Sequence, residues 1–319
     1  MMHRRHVLTG AAAAAGALAM PAIVTAQTPR TVKMGSLRLI HSMTPHFYER
    51  FAPPGLKIEI TTFDSPTDGK NAVVTKSVDF GGFGIAAATL GAAAGEPVVV
   101  VGAFCNKGMG VIAKAGSDIK AIKDLKGKKV GIWPGSTQEV FILERLRMEG
   151  LGIKDIQATR VPFGEMHAML SRGDIDAYVG AEPGPGLSIS SGVGQLVEYP
   201  YGTAMGGLNM IWATSEAMVA SDPALIRTML GVHRRASEYM MANPREVADA
   251  TVRILGAPRA AGEQALGAGN VEYIWRLDET VMTQARTYGQ HMQGLRQIRQ
   301  QPNWNTLLNP RFSNEVATS

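Results

Sequence analysis

Three places in this 319-residue chain combine residue types and spacings that could hold a small molecule. Gly135-Ser136-Thr137-Gln138 opens a stretch of helical period directly after an apolar run. The first N–H groups of a helix lack intrahelical partners and sit at the positive end of its dipole, so an anion is stabilised there. The hydroxyls of Ser136 and Thr137 would add donors; alternatively, Ser136 only caps its helix. Gly82-Phe83-Gly84-Ile85 is a comparable junction. There Gly82 lets the backbone approach a ligand, and Phe83 either stacks on a flat group or fills the core. Arg38, with His41 close behind it, is the third. A guanidinium grips a carboxylate or sulfonate through two parallel hydrogen bonds, unless solvent takes it instead.

Other residues carry narrower possibilities. Ser65, ahead of Pro66, either turns its hydroxyl towards a ligand or caps the helix expected from Thr67. Glu182 lies between Ala181 and Pro183 after an apolar strand, which predicts partial burial. It would accept hydrogen bonds from an amine or aminopyrimidine, or tie down a hinge. Cys105 is the one cysteine, so no internal disulfide and no CxxC pair can form. A catalytic thiol needs a base and a depressed pKa, and its neighbours offer neither, so Cys105 reads as a small buried residue lining the site. His41 and His46 share a segment with no further ligand at metal spacing. No metal, no cofactor and no catalytic set is expected, which is the pattern of a binding protein rather than an enzyme. Met166 and Met169 could adapt to an apolar ligand face.

These residues fall at the ends of short apolar runs that alternate with stretches of helical period. Strands are predicted over 31–36, 56–63, 78–83 and 98–104, with helices over 45–52, 67–77 and 85–94 between them. A second series begins near Gly110. It has strands over 111–114, 129–133, 158–161, 175–179 and 209–214, helices over 136–150 and 165–172, and a Gly/Pro-rich corner at 183–186. Beyond it the pattern is helical, over 223–241, from 244 onward and over 272–293. Strands alternating with helices predict mainly parallel sheets with helices on both faces, hence two α/β lobes. The chain would cross near 105–110 and return near 206–213, so that 27–109 and 213–319 form lobe 1 and 110–212 form lobe 2. Two crossings make a hinge, and the cleft between the lobes becomes the default ligand site.

Composition excludes several classes. Apolar residues at 45% and charged residues at 18% leave no case for a disordered chain. The formal net charge of +5 includes Arg4 and Arg5; without residues 1–26, 30 basic residues face 27 acidic ones. That surplus is too diffuse for a nucleic-acid groove. Residues 1–26 have the layout of an export signal: a basic start, an Ala-rich apolar run, and Val24-Thr25-Ala26 as a small-x-small cleavage site. The run over 7–20 is shorter than the ~20 residues that span a bilayer as a helix. His3-Arg4-Arg5-His6-Val7-Leu8 fits the twin-arginine pattern, with a general secretory signal as the alternative. No cysteine follows the run, so the expectation is a periplasmic, unanchored monomer beginning near Gln27.

Four segments resemble periplasmic substrate-binding proteins of the nitrate/sulfonate/taurine type, a group related to the thiamine-pyrimidine synthases. Lys123-Asp124-Leu125-Lys126-Gly127-Lys128-Lys129-Val130-Gly131, followed by Gly135-Ser136-Thr137, resembles the start of that family's second lobe. Val78-Asp79-Phe80-Gly81-Gly82-Phe83-Gly84 is similar to its "D-[FILV]-G" segment. Arg172-Gly173-Asp174-Ile175-Asp176-Ala177 with Ala181-Glu182-Pro183 is similar to its "G-x-[IV]-D-A … E-P" segment. Asp222-Pro223-Ala224-Leu225-Ile226 and Ala242-Asn243-Pro244 resemble the helical return, and the likeness runs from about Thr31 to Ala250. The resemblance implies a type II periplasmic binding fold that captures a small organic anion, a sulfonate or carboxylate, and presents it to the permease of an ABC importer. A thiamine-pyrimidine precursor binder, or an enzyme like the pyrimidine synthases, is the alternative. The synthase-like members carry a cysteine-rich iron-site segment, which a chain with Cys105 alone lacks. The loop 36–41 also lacks the "P-x-x-H" style of many pyrimidine binders.

Overall fold

The computed structural model describes residues 30–318, so the export-signal expectation for 1–26 lies outside the described residues. The chain lays down β1 (Arg30–Leu37), β2 (Leu56–Phe63), β3 (Phe80–Gly84) and β4 (Val98–Lys107). It then crosses and builds β5 (Met109–Lys114), β6 (Lys129–Ile132), β7 (Gln157–Arg160), β8 (Ala177–Ala181) and β9 (Gly194–Glu198). It returns for β10 (Leu208–Ser215) and later adds the short β11 (Val271–Tyr273). The larger sheet has the order β11-β4-β10-β3-β1-β2, and the smaller β7-β6-β8-β5-β9.

Position in the sheet follows residue type. β4 begins Val-Val-Val-Val and β10 reads Leu-Asn-Met-Ile-Trp-Ala-Thr-Ser; both are buried over nearly their whole length, as strands covered on two faces must be. β2, on the edge, mixes Lys57, Glu59 and Thr61 with apolar residues and stays half exposed. Behind β10 the aromatic rings form a stack: Phe80 lies 4.7 Å from Trp212, and Trp212 lies 5.8 Å from His233, with their planes nearly parallel. His233 is satisfied on both nitrogens, by Tyr48 Oη at 2.9 Å and the Ala103 carbonyl at 2.9 Å.

The sheets are mixed rather than mainly parallel. β1 pairs parallel with β2 and β3, and β6 with β7 and β8. β10 runs antiparallel to both β3 and β4, and β5 antiparallel to both β8 and β9. The reason is the hinge. A strand that enters a sheet through the hinge starts at the end where the parallel strands finish, so it must run against them. For the same reason residues 208–212, which the sequence reading leaves in lobe 2, pair within the larger sheet as the start of β10.

The helices are α1 (Pro66–Val74), α2 (Ile85–Ala93), α3 (Thr137–Met148), α4 (Met166–Arg172) and α5 (Gly184–Ser190). There follow α6 (Glu216–Ser221), α7 (Pro223–Ala242), α8 (Pro244–Leu255), α9 (Arg259–Gly267) and α10 (Glu279–Gly294). The corner expected at 183–186 is the first turn of α5, where Pro185 is tolerated because the opening N–H groups need no intrahelical acceptor. The helix expected from 272 begins at Glu279 instead, capped by Asp278 on the Val281 N–H at 2.9 Å, and 271–273 is the edge strand β11. No helix among the described residues is long and apolar enough to cross a membrane.

Three chain segments join the lobes. The first is Lys107-Gly108, both in the left-handed region at φ 65° and 79°. Gly108 has no substitute there, since a Cβ would lie 2.6 Å from the His41 ring in addition to the backbone cost. The second is the return before β10. The third was not foreseen: α8 packs on α7 of the large lobe, while α9 packs against α5 of the small one. Glu182 ties the three together. Its carboxylate accepts from the Gly186 N–H at 2.9 Å and from Asn270 Nδ2 at 2.8 Å, and Asn270 in turn accepts from Tyr201 Oη at 2.6 Å.

Candidate functional site

Between the lobes lies a cleft of about 650 Å³. The ends of β1 and β2 and the start of α1 supply Arg38, Leu39, Asp64, Ser65 and Asp68 from the large lobe. The small lobe supplies Trp133 after β6, then Phe163, Glu165 and His167 around the start of α4, and Pro183, Gly184 and Leu187 from the start of α5. The α8–α9 link, 255–258, closes one side. This is the crevice beyond the carboxyl ends of the parallel strands, where open α/β sheets bind ligands. Its lining is mostly apolar. Trp133 and Phe163 face each other with ring centres 6.4 Å apart, and the Arg160 guanidinium covers Trp133 at 4.8 Å.

Of the residues singled out in sequence, Arg38 and Ser65 line this cleft. Arg38 sits at the mouth, 64% exposed, with its Nε 2.9 Å from Asp64. An ion pair so open to water contributes little to stability and leaves the guanidinium available. Ser65 caps α1: its Oγ accepts from the Asp68 N–H at 3.1 Å and donates to the Asp68 carboxylate at 2.7 Å.

The other candidates do not line the cleft. Phe83 is fully buried core, and Gly82 packs beneath the Phe104 ring, so close that a Cβ would fall 2.5 Å from it. Cys105 is buried in β4 with its Sγ 3.1 Å from the Asn106 carbonyl, and burial pushes its thiol pKa well up, away from thiolate chemistry. Ser136 caps α3 through the Glu139 N–H at 3.1 Å and donates to the Trp133 carbonyl at 2.6 Å. Thr137 turns to the opposite lobe and donates to the Asn209 carbonyl at 3.3 Å, so the start of α3 is closed off by β3 and β10. Glu182, 1% exposed, spends both carboxylate oxygens in the hinge. Burial raises its pKa to about 7. His41 is buried beside Gly108, its Nδ1 without a partner, and burial lowers its pKa to about 3. It borders a void of about 10 Å³ shared with Leu39 and Phe163, room for about one water at most.

Sequence reasoning missed most of the small-lobe wall. Trp133, Phe163 and His167 each follow a strand of the small sheet by a few residues, and that placement was the available signal. Charge in the cleft is divided. Arg38 faces Asp64, Asp68 and Glu165, of which Asp68 and Glu165 sit in the first turn or at the N-cap of α1 and α4 and offset those helix dipoles. A second hollow of about 730 Å³ lies at the β11 edge, between Glu238, Glu272, Trp275 and Asp278. Its walls come from the large lobe alone.

Residues 50–247 match the family described as NMT1/THI5 like. Over 243 residues the chain is 23% identical to the "Putative aliphatic sulfonates-binding protein" of Escherichia coli (strain K12), covering 74% of this chain and 75% of that one. It is 26% identical over 209 residues to the 4-amino-5-hydroxymethyl-2-methylpyrimidine phosphate synthase of Aspergillus parasiticus, covering 61% of this chain and 60% of the fungal enzyme. Its fold matches that of the alkanesulfonate-binding protein SsuA from Xanthomonas axonopodis pv. citri, solved with MOPS bound. The TM-score is 0.77 at 19% identity, over 89% of this chain and 100% of that one. The two-lobed architecture is therefore the type II periplasmic binding fold, and with residues 50–247 matched the chain belongs to the NMT1/THI5-like family.

Proposed function

We propose that this protein is the solute-binding component of an ABC importer, working as a periplasmic monomer after export, and that it captures a small organic acid with a flat or apolar body by lobe closure. The observation that carries this reading is the two-lobed cleft itself. An aromatic pair from the small lobe faces an arginine from the large one, so one solute can bridge both walls. A ligand favours the closed form only through contacts it makes better there, and a bridging solute makes such contacts. The acid would take over the Arg38 fork from Asp64, while its body lies against Trp133 and Phe163. No catalysis is assigned; the buried Cys105 supports this, being unable to act as a nucleophile.

The three carboxylates at the cleft favour a second reading, an aminopyrimidine or other amine held by Asp64, Asp68 or Glu165. A thermal-shift series with sulfonates, aromatic and aliphatic carboxylates, nitrate and aminopyrimidines separates the two. A ligand at ~100 times its Kd adds roughly 2.7 kcal/mol, a shift of several degrees for a protein of this size. Among acids that bind, Arg38→Ala should weaken affinity about tenfold or more and Asp64→Asn should strengthen it a few-fold. Stabilisation by amines alone, with Arg38→Ala silent and Asp64→Asn bringing no gain in affinity, would favour the second reading and defeat the first.

A further inference from the structure

His167, half-buried, lines the cleft, and its Nδ1 is 3.0 Å from the Oγ of Ser188 on α5. Ser188 is fully buried, and its Oγ is also 2.7 Å from the hydroxyl of Tyr178 on β8. Among the described residues the Tyr178 hydroxyl has no other hydrogen-bond partner, and Nε2 of His167 has none. These three groups form a line from the interior of the small lobe to the cleft wall.

The protons along that line can be placed by elimination. Burial pushes the Tyr178 phenol up, so it stays protonated, and burial lowers the His167 pKa, so the imidazole is neutral. A buried hydroxyl proton without an acceptor is costly. Among the described residues Ser188 is the one acceptor within reach of the Tyr178 proton, so Tyr178 donates to Ser188. Ser188 then has one proton of its own, and Nδ1 of His167 is its remaining acceptor. The reverse tautomer, with Nδ1–H donating to Ser188, would leave the buried serine proton unpaired. A neutral imidazole that accepts at Nδ1 carries its proton at Nε2.

We infer that the Tyr178–Ser188–His167 line fixes His167 as an Nε2–H donor aimed into the cleft, making it a specificity-determining residue that selects solutes with a hydrogen-bond acceptor at that wall. Tyr178 and Ser188 are positioning residues acting through it. The inference rests on the cleft being the solute site. It adds that acceptance is read by a neutral donor on the small lobe, opposite the charged Arg38.

The test is histidine- and tryptophan-selective ¹⁵N NMR of the purified protein, with the His167 and Trp133 signals assigned by their loss in His167→Gln and Trp133→Phe. In the ligand-free protein His167 Nδ1 should resonate as an unprotonated nitrogen and Nε2 as a protonated one. Ser188→Ala should mix the two tautomers, a change that loss of packing alone would not produce. Benzenesulfonate should then shift His167 Nε2–H, whereas benzylamine, a donor without an acceptor, should not. His167→Leu should weaken benzenesulfonate about tenfold or more, and His167→Gln, which keeps an N–H donor, should weaken it less. A protonated Nδ1 in the wild type overturns the inference. So does benzenesulfonate that shifts the Trp133 indole but leaves His167 unmoved, and in that case the cleft reading survives. If no acid of the thermal-shift series, benzenesulfonate included, moves either residue, both readings are overturned.

Discussion

Lowering the pH from 7 to 5 is expected to remove about 2 kcal/mol of folding stability, and about twice that in Glu182→Gln. His41 and His233 are buried and neutral, with folded pKa values lowered to about 3 and about 4 from 6.5. Between those values and 6.5 the unfolded chain binds protons that the folded chain refuses. Each imidazole therefore withdraws stability as the pH falls through 6.5, about 2 kcal/mol by pH 5. Glu182 acts in the opposite sense. Its folded pKa is raised to about 7 from 4.5, so between those values the folded state holds the proton and stability rises as the pH falls. That returns about 2 kcal/mol by pH 5, and the net is one imidazole's worth of loss. Urea unfolding at pH 7, 6 and 5 measures it. A wild type equally stable at pH 5, or a Glu182→Gln variant no more acid-sensitive than its parent, would show that the buried groups are not protonated as assigned.

Gly186→Ala should cost about 3 kcal/mol, with the loss concentrated in the contact between the lobes. A Cβ on Gly186 would stand 2.4 Å from the Ala261 carbonyl oxygen of α9 and 3.1 Å from the Glu182 carboxylate. The nearest obstacle is backbone, which cannot rotate away, so α5 and α9 must separate. Separation also strains the Gly186 N–H bond to Glu182 at the hinge. Gly184→Ala on the same helix is the control. There a Cβ meets nothing nearer than 3.8 Å, and the change should stay within about 0.5 kcal/mol. The midpoint of a urea curve reads both, provided the slope is unchanged. Equal midpoints for the two variants would mean that the α5–α9 approach is looser than the packing implies.

Much of the architecture was legible in sequence because it is written in local pattern. The run 56–63 alternates and is flanked by turn residues, and it forms the strand over that span. Ser136 ahead of a helical period, and Ser221-Asp222-Pro223 ahead of another, mark the starts of α3 and α7 within a residue. What escaped was set at long range. β9 and β11 are short and half polar, and they are strands because β5 and β4 lie beside them with unpaired edges. α9 lies in a stretch whose pattern is already helical, but its packing against α5 of the other lobe is set at long range.

The site divides in the same way. Arg38 and Ser65 follow strands whose ends are plain in sequence, and they reach the cleft. Thr137 also begins a helix after a strand, yet it is covered by Gly84 and Asn209 from the other lobe. Nothing within 135–138 encodes that covering. The sequence around Glu182 suits either a ligand or a hinge contact, and its partners Gly186 and Asn270 put it in the hinge.

The strap formed by α8 and α9 bears on what it costs to capture a solute. Lobes joined by two adjacent strands can bend and also twist about the strands, so the empty protein wanders through many relative orientations. A third connection set apart from the first two leaves one principal axis of rotation. Fewer orientations are then available to the empty protein, and fewer are surrendered when a solute draws the lobes together. Under the proposed binding role, less of a solute's contact energy would go into ordering the protein, so a small molecule with few polar groups could still close the cleft.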